Sequence, residues 1–177
     1  MQSLKVASIA LLILATLTTS TISQTWLPTE KDTQKVLRLT HEYFSLRDDG
    51  HYDDAYSMMA PSTKRVVPLW GYKERVSTFN NIAGSVVEHR IVEVTWSKDP
   101  LQAPFPGVYA AVDVVSKFQN IDRHCGYLVF HQQPDGQFLI MREEENHMDH
   151  ATERSIREDS SQEEVEKMWA QLAQNCP

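Results

Sequence analysis

The sequence predicts an α+β fold, with three N-terminal helices packed on a curved four-stranded antiparallel sheet and one more helix added at the C-terminus. Three observations carry this. Two runs rich in β-branched and aromatic residues, Val108–Phe118 and Gly126–His131, are followed through Pro134-Asp135-Gly136 by Phe138–Met141. Proline presets φ for a turn and glycine accepts positive φ, so Gly107 to Arg142 reads as an antiparallel meander. Upstream of it, apolar residues recur at helical spacing, and between the two regimes Ser85–Trp96 alternates with a period of two. Helices followed by strands is the α+β order.

Met1 to about Ser23 has the three-part form of a secretory signal: Lys5, the apolar run Val6–Leu17, then small polar residues ending Thr21-Ile22-Ser23. The apolar run falls short of the roughly 20 residues that span a bilayer, and no Cys follows it for lipidation. A signal peptide is therefore expected over 1–23, a domain over 24–147, and an acidic linker with the added helix over 148–177. The expected location is periplasmic or secreted, with no membrane span after cleavage.

Thr29-Glu30-Lys31-Asp32 opens the first helix, with Thr29 as cap and Asp32 completing a capping box. Its apolar positions are Val36, Leu39, Tyr43, Phe44 and Leu46, and Asp49-Gly50 stops it. A short second helix runs from about Tyr52 to Met59. A third stretch restarts at Ser62 and carries Val66, Leu69, Trp70, Lys73 and Phe79, with a kink or turn expected at Pro68. In the first strand, alternation places Val86, Glu88, Arg90, Val92, Val94 and Trp96 on one side and Val87, His89, Ile91, Glu93 and Thr95 on the other. Pro100, Pro104 and Pro106 make the next segment a loop. At the far end, Gln162–Asn175 is helical by pattern, with Ser160 or Ser161 as cap and a stripe of Val165, Met168, Trp169 and Leu172.

The chain carries 24 acids against 17 lysines and arginines, a formal net charge of −7. Between Glu143 and Glu166, ten acids face only Arg154 and Arg157, so the tail carries the excess and the body is close to neutral. That excludes nucleic acid and anionic lipid as partners, since both select clustered Lys and Arg. Cys125 and Cys176 pair most simply with each other in an oxidising compartment. Two free thiols, one of them reactive, are the alternative.

Asp49-Gly50-His51-Tyr52-Asp53-Asp54-Ala55-Tyr56, Trp70 with Arg75, Gly84 running into Arg90, Pro106-Gly107-Val108-Tyr109, Phe118 and Asp135-Gly136 form an ordered set. Together they resemble a family of small secreted bacterial proteins known as domain of unknown function 4019, over about Leu37 to Met141. Tyr56 and Phe138 stand where that family usually has Trp, and Met141-Arg142 replaces a Gly-Tyr pair. The resemblance implies a cone-like fold similar to nuclear transport factor 2 and cystatin, in which helices cap a curved sheet and can enclose a pocket. It supplies no established catalytic residue.

In such a cone the residues of interest are polar side chains on apolar inward faces. Asp113 leads, as a general base with a raised pKa and with Tyr109 or His89 nearby. Its alternative is a solvent-facing carboxylate beside Lys117 or paired with Arg90. Tyr109, His89, Trp70 and Phe44 are the candidate ligand-binding residues, and Trp70, Tyr72, Tyr52 and Phe44 read as core and lid aromatics. His147-Met148-Asp149-His150 holds two imidazoles and a carboxylate, but within an acidic run it reads as solvated linker, and no metal or cofactor is expected. The functional expectation is an exported, non-enzymatic binding or protein-interaction module with a pocket for a small apolar ligand. The alternatives are a proton-transfer isomerase or dehydratase using Asp113, and an assembly protein that forms a homodimer through its sheet.

Overall fold

The computed structural model describes residues 26–174 and Cys176. The expected signal peptide lies outside the described residues. Among them, six helices and one four-stranded antiparallel sheet form an α+β fold. Helix α1 spans Glu30–Asp48, α2 Tyr52–Ser57, α3 Pro61–Val66 and α4 Leu69–Ala83. Thr29 and Asp32 form the expected capping box, each accepting the other's backbone N–H at 3.2 Å. The expected third helix is two, α3 and α4. Proline disfavours helical backbone in the residue before it, and Val67, which precedes Pro68, is extended.

Strands β1 (Val86–Lys98), β2 (Val108–Phe118), β3 (Ile121–Gln132) and β4 (Phe138–Met148) are ordered in space as in sequence. Gly136 takes φ +81° in the turn between β3 and β4, the conformation for which its lack of a Cβ suits it. β3 begins five residues before the expected Gly126, so Cys125 sits inside the strand, opposite Val115 and Asn146.

Of the four register shifts in the sheet, two in mid-strand reset its alternation. Val92 is unpaired in β1, between Ile91↔Val114 and Glu93↔Asp113; Met141 is unpaired in β4, between Ile140↔Phe130 and Arg142↔Val129. An extra residue on one strand exchanges the faces of everything beyond it. In β1 the residues packed toward the core are therefore Ile91, Val94 and Trp96, not the uniform set ending Val92, Val94 and Trp96. One core joins Val36, Tyr43 and Phe44 of α1, Ala55 of α2, and Tyr72 and Val76 of α4 to Val112, Val114, Leu128, Phe130 and Ile140 of the sheet.

The segment expected as an acidic linker is ordered. β4 continues through Glu143 to Met148, and α5 (His150–Asp159) leads to α6 (Gln162–Leu172). Asp149 caps α5 by accepting the Thr152 N–H at 2.8 Å, and Ser161 caps α6 with Glu164 completing a capping box. Cys125 and Cys176 form a disulfide, Cα–Cα 5.7 Å. With Arg123–Glu166 at 2.6 Å it holds α6 against the sheet face opposite the main core. Of the predicted stripe, Val165 is fully buried and Trp169 half-buried, while Met168 and Leu172 are exposed.

Candidate functional site

The inward stripe of α1 runs Val36, Thr40, Tyr43, Phe44 and then Arg47. Helical periodicity thus places a guanidinium on the same face as the apolar residues, and Arg47 is 3% exposed. Its acid partners come from β4. Beyond the Met141 bulge the inward residues are Glu143, Glu145 and His147, beside Leu128, Gly126 and His124 of β3. Arg47 forms ion pairs with Glu143 and, at 3.3 Å, with Glu145. Arg75 of α4, half-exposed, reaches the same two carboxylates, Glu145 at 3.2 Å. His124 Nε2 lies 3.5 Å from Glu145, and the Tyr72 hydroxyl donates to that of Tyr43 at 3.1 Å. The Arg47 guanidinium also stands over the Tyr43, Phe44 and Phe79 rings at 5.7–5.9 Å.

Two arginines against two glutamates make the cluster charge-balanced. Burial raises the Glu145 carboxyl, but Arg47, His124 and Arg75 outweigh it and hold it well below the usual carboxylate range. Burial opposes the charge on Arg47, yet Glu143 and Glu145 hold its pKa above the ordinary value. Burial, with the nearby Glu143, raises the Tyr43 phenol, and Tyr72 is pushed up to about 12. Burial depresses His147.

The space among Phe44, Arg47, Val114 and Leu128, where the sheet faces α1, is about 10 Å³, too small for a ligand. A groove of about 520 Å³ opens on the other side of Glu143 and Glu145. Its far wall is Met59, Thr63, Val67 and Arg75; its near wall is five consecutive residues of β4, Glu143 to His147. Successive strand side chains point to opposite faces, so five in a row line one groove only along the strand's edge.

The residues singled out from the sequence do not converge. Asp113 alternates with the buried Val112 and Val114, so it faces away from the core, between Glu93 and Tyr127 in register. Partial burial and then Glu93 raise its carboxyl. It lines neither the groove nor the space beneath the sheet. Tyr109 stacks on His131 (4.5 Å) and donates its hydroxyl to the Phe105 carbonyl at 2.7 Å. Trp70, expected as a core or lid aromatic, is 71% exposed, because it lies on the side of α4 opposite Tyr72 and Val76. Phe44 is buried and stacks on His89 at 4.6 Å.

His89 joins a chain absent from the sequence reading: Nε2 meets Asp48 Oδ2 at 2.8 Å and Nδ1 meets Ser116 Oγ at 2.7 Å. Aspartate, histidine and serine in line suggest an activated nucleophile. Ser116, however, is 3% exposed, and the chain ties α1 to β1 and β2. The residues expected as solvated linker, His147 to His150, part company: His147 packs edge-on to Phe79 at 5.1 Å, Met148 is buried, Asp149 caps α5 and His150 meets Asp122 at 2.9 Å. Among the described residues no group of three or more His, Cys, Asp or Glu is placed to hold a metal ion. Nor is any helix among them long and apolar enough to cross a membrane.

The family described as Protein of unknown function (DUF4019) matches residues 39–142, from the middle of α1 to just beyond the β4 bulge. The chain belongs to this family. No curated protein and no solved structure matches it. The DUF4019 match takes in Arg47, Arg75 and the whole far wall of the groove, and stops one residue before Glu143. The acidic half of the network, α5 and α6 thus lie beyond the matched region.

Proposed function

We propose that this DUF4019 protein is an exported, non-enzymatic binding module. Its cone-like arrangement of helices and sheet takes a ligand or protein partner in the groove between β4 and the α3–α4 wall. The observation that carries this is the contrast in space: about 520 Å³ along β4 against about 10 Å³ beneath the sheet. Binding sites combine apolar lining with a few fixed polar groups. Met59 and Val67 supply the first; Arg75 and Glu145, paired with each other, and His147, packed on Phe79, supply the second. The Cys125–Cys176 disulfide supports a periplasmic or secreted location, because such bonds persist in oxidising compartments. Asp113 lines neither the groove nor the space beneath the sheet, which favours the binding reading over the isomerase one.

Native mass spectrometry of the protein purified from its own host tests this. The expected result is a stoichiometric companion, small molecule or polypeptide, that is retained by the parent and lost from Thr63→Arg, which fills the groove with a long side chain. Retention unchanged in a folded Thr63→Arg variant, or no companion at all, overturns the reading.

A further inference from the structure

We propose that the groove receives an extended peptide segment of another protein, which adds to the sheet as a strand along the free edge of β4; this rests on the groove reading above. The chain itself carries out this pairing on the neighbouring stretch. Met58-Met59-Ala60 runs parallel to β4, with Ala60 N–H donating to Ile140 O at 2.8 Å and Ile140 N–H donating to Met58 O at 2.9 Å. The pairing ends where Pro61 starts α3, and the Thr63 hydroxyl caps it by donating to Met141 O at 2.8 Å. Beyond Met141, β4 continues to Met148 with β3 on one side and the groove on the other. Among the described residues no main-chain hydrogen bond to Arg142–His147 comes from that second side. Unpaired strand edges are the template for strand addition.

Native edges are usually blunted by charge, and Arg142-Glu143-Glu144-Glu145 resembles that device. The side chains do not guard the edge. Glu143 and Glu145 turn inward to Arg47 and Arg75, while Glu144 turns to the other face, accepting from Tyr127 at 2.6 Å and from Arg142 Nε at 2.6 Å. Each acid is tied back onto its own molecule, which leaves the main chain open. A second copy of this chain is a poor occupant. Antiparallel pairing of two β4 edges sets the Glu143–Glu145 runs of both copies against each other, and like charges directly opposite destabilise a sheet.

The walls define the segment that fits. Side chains on its inner face meet Met59, Val67, Arg75, Glu143 and Glu145, with Arg47 balancing the glutamates from behind, so they are short and uncharged. A charge there would be buried without a counterion. Those on its outer face meet Arg142 and Glu144, which tolerate polar groups.

A displayed library of random linear peptides, selected on the intact disulfide-bonded protein and counter-selected on Thr63→Arg, supplies the probe. A selected peptide is expected to protect from exchange those amides of Arg142–His147 that point away from β3. N-methylating alternate residues of the peptide should weaken it about tenfold in one phase of the alternation and little in the other, as loss of main-chain hydrogen bonds does. A peptide that needs the open groove but leaves those amides unprotected and ignores N-methylation overturns strand addition while the groove reading stands. A library with no groove-dependent binder also overturns strand addition. If the protein purified from its host also lacks a groove-dependent companion, the groove reading falls with it.

Discussion

Replacing Arg47 by Met removes the cation at the centre of the buried cluster while keeping a long apolar stem. Glu143 and Glu145 are 6% and 14% exposed and remain in place. Breaking a buried ion pair by deleting one partner costs about 3–5 kcal/mol, because the other charge stays buried and unpaired. Arg75 still reaches both acids from its half-exposed position, so the low end, about 3 kcal/mol, applies. For a domain of this size that lowers Tm by about 6–12 °C. Glu145 adds a pH signature. Its folded pKa lies below the unfolded value of about 4.3, so its contribution is complete above that pH and is lost as pH falls through the folded value. Without Arg47 the folded pKa moves up, the variant loses less on acidification, and the gap between variant and parent narrows between about pH 7 and pH 3. Urea unfolding followed by tryptophan fluorescence reads both effects. Replacing Arg47, Glu143 and Glu145 together by Met, Leu and Leu should recover most of the loss, as buried ion clusters exchanged whole for apolar groups do. An unchanged midpoint for Arg47→Met at pH 7, or a gap that widens in acid, refutes the reasoning.

Cys176→Ser should cost about 4 kcal/mol on the chain-entropy account of a loop with sequence separation 51. Amide exchange should rise first over Gln162–Leu172 while β2 and β3 stay protected; uniform loosening would show that α6 is not a separate unit. Gly126→Ala should destabilise by at least 1–3 kcal/mol, as overpacking of about this severity does. An added Cβ would lie 2.2 Å from the Glu144 carbonyl oxygen and 3.0 Å from the Glu145 Cα, both main-chain atoms that cannot step aside. Thermal melting checks it, and a Tm equal to the parent's would mean that β4 stands further from β3 than described.

The sequence made the helix caps, the meander turn and the cysteine pair legible because each is set by residues close in the chain or by counting. Thr29 with Asp32 and Gly136 in its turn follow local rules, and with two cysteines only one intramolecular pairing exists. The polar cluster was illegible for a different reason. A uniform period of two carries the inward set of β4 from Phe138 and Ile140 to Arg142, Glu144 and Asn146, whereas the extra residue at Met141 makes it Glu143, Glu145 and His147. Nothing in Leu139-Ile140-Met141-Arg142 marks the bulge, since neither Gly nor Pro is present. The same failure at Val92 hid the meeting of His89 with Asp48 and Ser116.

One signal did exist, and it lay in α1. An arginine four residues beyond Tyr43 on an otherwise apolar stripe must either leave the core or find acids inside it. In this fold the chain stretch able to present several acids on strand geometry is Glu143-Glu144-Glu145. The bulge and the network therefore enforce each other. Shifting β4 by one residue against β3 would carry Glu143 and Glu145 to the outer face and turn Glu144 inward, leaving Arg47 with one acid and Arg75 with none. Register errors that exchange sheet faces are opposed wherever one face is buried. Here an unpaired buried guanidinium opposes them more strongly than apolar burial alone, so the cluster that leaves no room beneath the sheet also fixes which side chains of β4 turn toward the α3–α4 wall.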